Sequence, residues 1–145
     1  MRLHDLGMSD GSPVTEMRLA VTAEDYEAAL HFYRDVLGLR EHAEFISEGG
    51  GHVTILEAGR ATLELSDERN AAFVDDVEVG RRVAGHIRVA FEVADTAATT
   101  RALVDGGARL IAEPTRTPWD SLNSRLEAPA GLQLTLFGPT PDPSP

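Results

Sequence analysis

The sequence predicts an α+β protein built from two successive β-α-β-β-β units. Three observations carry that expectation. Strand and helix signals occur in the same order twice along the chain. The stretch RLAVTAED (18–25) lies over RVAFEVAD (88–95) at a shift of 70 residues, matching Arg, Ala and Asp. Four strand candidates each alternate between one apolar and one mixed polar face.

Met17 to Val21 reads as the first strand. Thr22-Ala23-Glu24-Asp25 signals a helix start, with Thr22 as the cap and the acidic residues at the positive helix end. That helix is expected to run to about Val36, because Ala29, Leu30, Phe32, Tyr33, Val36 and Leu37 recur at helical spacing and Gly38 stops it. Strands are expected around Glu41–Ile46, His52–Glu57 and Ala61–Ser66, separated by Gly-rich turn signals. A polar connector, residues 68–85, leads into the second unit. There the strand Ile87–Val93 precedes a helix from Thr96 to Val104, stopped by Gly106-Gly107, and strands near Arg109–Ala112, Asn123–Glu127 and Leu132–Phe137. The modules therefore span about 16–67 and 86–138, flanked by tails at 1–15 and 139–145 whose Gly, Ser, Pro and Asp content does not favour burial.

Composition narrows the function. At 145 residues and 42% hydrophobic, the chain is long enough to bury a real core. A formal net charge of -11 repels polyanions, and no Lys/Arg run offers a phosphate-tracking stripe, so nucleic acid is not an expected partner. No cysteine is present, which removes disulfides, thiolate metal sites and a Cys nucleophile, and suits a reducing compartment. No stretch has signal-peptide or membrane-spanning character, so the expected location is the cytoplasm, away from membranes.

Face by face, Arg18, Ala20 and Thr22 oppose Leu19 and Val21, and Thr62, Glu64 and Ser66 oppose Leu63 and Leu65. His86, Arg88, Ala90 and Glu92 oppose Ile87, Val89, Phe91 and Val93, while Gln133, Thr135 and Phe137 oppose Leu132, Leu134 and Leu136. Apolar faces suit packing under helices. What the polar faces touch is the functional question.

The stretches RLAVTAEDYEAALHFYRDVLGL (18–39), RATLELSD (60–67), RVAFEVADTAATTRALVDGGARLI (88–111) and SRLEAPAGLQLTLF (124–137) resemble the vicinal oxygen chelate superfamily, the glyoxalase/bleomycin-resistance/dioxygenase group. The resemblance covers most of residues 16–138. It implies paired βαβββ modules forming a curled mixed sheet around a cavity lined by the polar strand faces, and a homodimer. In metal-dependent members the ligands follow a His, Glu, His, Glu pattern, and those positions fall here on Arg18, Glu64, Arg88 and Thr135. Protonated guanidinium groups have no lone pair to give a metal, so no metal or other cofactor is expected.

Two readings follow for Arg18, Arg88 and Glu64: an ion-pair network in the metal's place, or a net positive spot that binds a carboxylate, phosphate or enolate-like oxygen of a small molecule. Gln133, Thr135, Thr62 and Thr54 are candidate hydrogen-bonding groups of the same cavity, with Phe137, Leu56 and Ala90 as apolar wall. Trp119, in a loop before the seventh strand, is a candidate cover for a planar ligand or a surface residue. Glu64 and His86 are the candidate catalytic bases. The expected function is metal-independent binding of an acidic or aromatic metabolite or antibiotic. The alternative is an enzyme of the same superfamily, a lyase or isomerase using a divalent metal or a metal-free Glu/His base. A purely structural protein would instead fill the cavity with its own side chains.

Overall fold

The computed structural model describes residues 13–36 and 38–142. In chain order the elements are Val14–Ala23 (β1), Tyr26–Leu30 (α1) continued by a π-helical stretch His31–Val36, Glu41–Ile46 (β2), His52–Ala58 (β3), Ala61–Asp67 (β4), Glu68–Glu78 (α2), Ile87–Val93 (β5), Thr96–Asp105 (α3), Arg109–Arg116 (β6), Ser121–Glu127 (β7) and Gln133–Pro139 (β8). The strands form one mixed sheet in the order β2-β3-β4-β1-β5-β8-β7-β6. β1 and β5 pair antiparallel at its centre, and each pairs in parallel with the last strand of its own half, β4 or β8. The second half thus repeats the first. The sheet curls without closing, the paired-module architecture that the resemblance implies.

Two apolar clusters hold the outer face. Tyr26 and Leu30 of α1 pack on Leu56 and Leu65 with Val21 and Leu63 around them, while Val93, Leu126 and Leu136 pack with Phe91, Leu103 and Ala108 under α3. Each fully buried Leu stabilises the fold by about 1.5–3 kcal/mol relative to exposure. Gly138 is needed beside α3, because a Cβ there would collide with the Val93 carbonyl and the Thr96 hydroxyl.

α2 lies on the opposite face, where it contacts β1, β3, β4 and β7. Five strand spacings separate β3 from β7, roughly 24 Å on a flat sheet, whereas an 11-residue helix is about 16 Å long. One helix reaches both because the sheet wraps around it.

Several boundaries differ from those the sequence predicts. The connector 68–85 is not all irregular: its first half is α2, capped by Asp67, whose side chain accepts from the Asn70 N–H. Asp25, not Thr22, caps α1 and accepts from Ala28 N–H, because β1 continues to Ala23 under pairing with β4. The expected long helix turns π-helical at His31, and its wider turns rotate Phe32 and Val36 off the apolar face, leaving both exposed. Leu37 lies outside the described residues, as do most of the expected N-terminal tail and the last three residues. Val14 pairs with Val93 and Pro139 with Ser121, so ordered strand extends into both expected tails. Among the described residues, no helix is long and apolar enough to cross a membrane.

Candidate functional site

Register places the predicted polar residues on one surface. Across β4, β1, β5 and β8, Thr62 faces Arg18, Arg18 faces Ala90 and Ala90 faces Thr135; one step along, Glu64 faces Ala20 and Ala20 faces Arg88. Directly paired residues share a face, so this whole set lies on the inner side, with α2.

The side chains close into a network. Arg88 donates from Nη1 to Thr135 Oγ1 at 2.9 Å and from Nη2 to Glu64 Oε2 at 3.4 Å. The other oxygen of Glu64 lies 3.8 Å from Arg18 Nη1, and Arg18 Nε is bonded to Glu16. Thr62 also donates to Glu16, at 3.4 Å. The Arg18 guanidinium sits 4.9 Å from the centre of the Phe137 ring, a cation–π contact. Arg88 and Glu64 are 12% and 18% exposed, dry enough for their pairing to matter more than at the surface. The expected net positive spot is neutral, because Glu16 joins Glu64 to balance the two arginines.

Other candidates lie elsewhere. His86 precedes β5 and is exposed, with Nδ1 donating to the Thr22 carbonyl at 3.1 Å. Thr54 and Leu56 face the outer core: Thr54 bonds the Tyr26 hydroxyl, and Leu56 packs beneath α1. Trp119 is in the turn after β6, 46% exposed, its ring 6.2 Å from Phe73 of α2. Gln133 joins a second network that sequence reading missed. Fully buried Arg125 donates to Asp75 Oδ1 and Glu78 Oε1, each at 2.8 Å, and to Gln133 Oε1 at 2.7 Å; Asn123 donates to Glu78 Oε2 at 2.8 Å. The second Asp75 oxygen accepts from Arg82 and from the backbone N–H groups of Val83 and Ala84. The signals for this network were Asp67 as a cap, Ala71, Val74, Asp75 and Glu78 at helical spacing, and Gly80 just past the end.

Space on the inner face is limited. Between α2 and Arg88, residues including Thr22, Ser66, Asn70 and Asp75 enclose about 10 Å³, room for one water. A larger cleft of about 440 Å³ opens beside Phe137, bounded by Thr15, Glu92, Asp120 and Ser121.

The four residues that the resemblance implies for metal ligands, Arg18, Glu64, Arg88 and Thr135, do not fit a cation. Two are guanidinium groups already bonded to carboxylate and hydroxyl oxygens, and among the described residues no three His, Asp or Glu side chains converge to replace them.

The architecture is similar to that of methylmalonyl-CoA epimerase from Mycobacterium tuberculosis, with a TM-score of 0.66 at 24% identity over 95% of this chain and 97% of that one. A Streptomyces coelicolor methylmalonyl-CoA epimerase in complex with 2-nitronate-propionyl-CoA gives 0.63 at 23% identity, over 91% and 99%. A glyoxalase/bleomycin resistance protein/dioxygenase superfamily member from Vibrio splendidus gives 0.59 at 13% identity, over 85% and 97%. At these identities the likeness is one of fold. A search of curated protein sequences finds no match. The family model for the Glyoxalase/Bleomycin resistance protein/Dioxygenase superfamily matches residues 17–136, nearly the whole described sheet and its helices, and the chain belongs to that superfamily.

Proposed function

We propose that this protein is a metal-independent small-molecule-binding member of its superfamily, taking an acidic or aromatic compound at the Arg18–Arg88–Phe137 part of the inner face. One observation supports the reading: Arg18, Glu64, Arg88 and Thr135, which the resemblance implies for the metal-ligand positions, are joined to one another. Guanidinium groups bind carboxylate or phosphate oxygens with charge-assisted hydrogen bonds, and the Phe137 ring supplies an aromatic wall opening on the 440 Å³ cleft.

The enzymatic alternative draws on the printed name of the similar structures, methylmalonyl-CoA epimerase. A metal-free proton transfer would need Glu64 or His86 as base. Both Glu64 oxygens are engaged by arginines and His86 stands outside the network, so binding is the better-supported reading.

Titration calorimetry with small carboxylates, phosphate and aromatic acids tests it. Arg88→Ala is expected to weaken binding of any compound found by at least about 1.5 kcal/mol, more than tenfold. Unchanged affinity would remove Arg88 from the site.

A further inference from the structure

Three arginines cross the inner face. Arg18 on β1 and Arg88 on β5 are balanced by sheet residues, Glu16 on β1 and Glu64 on β4. Arg125 on β7 faces Thr135, the residue that accepts from Arg88, so it continues the same row. Among the described residues, its carboxylate partners both belong to α2: Asp75 and Glu78. Within this network the sheet contributes Arg18, Arg88 and Arg125 with Glu16 and Glu64, and α2 contributes Asp75 and Glu78. Of the three arginines, Arg125 is the one balanced from α2 and not from the sheet.

α2 is also an unusual plug. Its buried residues are Asn70, Ala71, Asp75 and Glu78, three of them polar, and its larger apolar residues Phe73, Val74 and Val77 are only half-buried. Its buried ion pairs are concentrated on Arg125 and Arg82. Among the described residues Arg125 still has its Nε–H buried without a hydrogen-bond partner, so two carboxylates do not saturate it.

We propose that α2 is a displaceable occupant of an anion site formed by Arg125, Asn123 and Gln133, with the Asp75 and Glu78 carboxylates in the places that a ligand's anionic groups take. The ligand class is a compact small molecule with two carboxylates or a phosphate, which competes with α2 for Arg125 and reaches Arg88 as the helix lifts. This gate rests on the anion-binding reading of the inner face given above.

Trp119, the sole tryptophan, stacks near Phe73 of α2 and reports the helix's position. The test titrates succinate and inorganic phosphate into the full chain and into Glu78→Gln, following heat, Trp119 emission and amide exchange of residues 68–78. Glu78→Gln removes one charge while sparing Asp75, which also organises the Val83–Ala84 backbone. The expected result is anion binding that speeds α2 exchange and shifts Trp119 emission. In Glu78→Gln the half-saturating concentration should fall about tenfold, because the open form is more populated. Binding that depends on Arg88 but leaves α2 exchange and Trp119 unchanged would overturn the gate and spare the binding site. No anion binding by either protein would overturn both.

Discussion

Arg125, with no side-chain exposure, carries a full charge into the interior and survives there because Asp75 and Glu78, 1% and 2% exposed, bracket it. Replacing one member of such a set leaves the others charged and dry, which costs far more than the set itself contributes. Arg125→Leu is expected to lower the unfolding free energy by about 3–5 kcal/mol, and Arg125→Leu with Glu78→Leu to recover part of that loss. Urea unfolding measures both; a loss below about 1 kcal/mol in the single variant would mean that water reaches the network. Sequence alternation was enough to group Arg18, Glu64, Arg88, Thr135 and Phe137, because strand period 2 leaves no other choice once the apolar face is known. It failed for His52–Glu57, where Val53 and Ile55 oppose Leu56 and both faces look apolar. Only pairing with β4 shows that Leu56, opposite Leu63, faces the outer core. His86 lies just before the strand, which begins at Ile87 as expected, and its ring bonds the Thr22 carbonyl near the end of β1.

At the scale of the element, α2 decides what the inner face can do. Its N-terminus is seated against Gly51, where a Cβ would collide with the Asn70 backbone and the Ser47 hydroxyl. Its C-terminal half is tied by Asp75. Burial pushes the Asp75 carboxyl up, but the N–H groups of Ala84 and Val83 and the Arg125 guanidinium outweigh burial and hold it below the ordinary aspartate range. A carboxyl lower in the folded state stabilises the fold above its unfolded pKa, and that contribution disappears as pH falls through its folded value. Arg125 and Arg82 face Asp75 and stay charged throughout, while Glu78 shares Arg125. Acidification below about pH 4 should therefore loosen α2 before the apolar cores, seen as faster exchange at 68–78 and a change in Trp119 emission. Asp75→Asn should blunt this dependence; an unaltered acid response in that variant would show that other groups hold the helix. The helix was hard to read in the sequence because three of its four buried residues, Asn70, Asp75 and Glu78, are polar.

Across the whole molecule, the repeat of strand and helix order was legible because both halves use the same devices: a central strand with one apolar face, an Asp-capped helix, and antiparallel strands joined by glycine turns. What lay beyond it was the filling of the inner side, since contacts between residues about 50 apart, such as Asp75 with Arg125, leave no local pattern. The positions that the resemblance gives to metal ligands hold Arg18 and Arg88, whose guanidinium groups are tied to Glu64 and Thr135. The claim that this network replaces a metal is tested most directly by elemental analysis of the purified protein together with its melting temperature with and without zinc, nickel, manganese and iron(II). No stoichiometric metal and no stabilisation by any of the four is the predicted result, since only an ion that binds the folded state raises its stability. One equivalent of bound metal, or clear stabilisation by one of these ions, would contradict it.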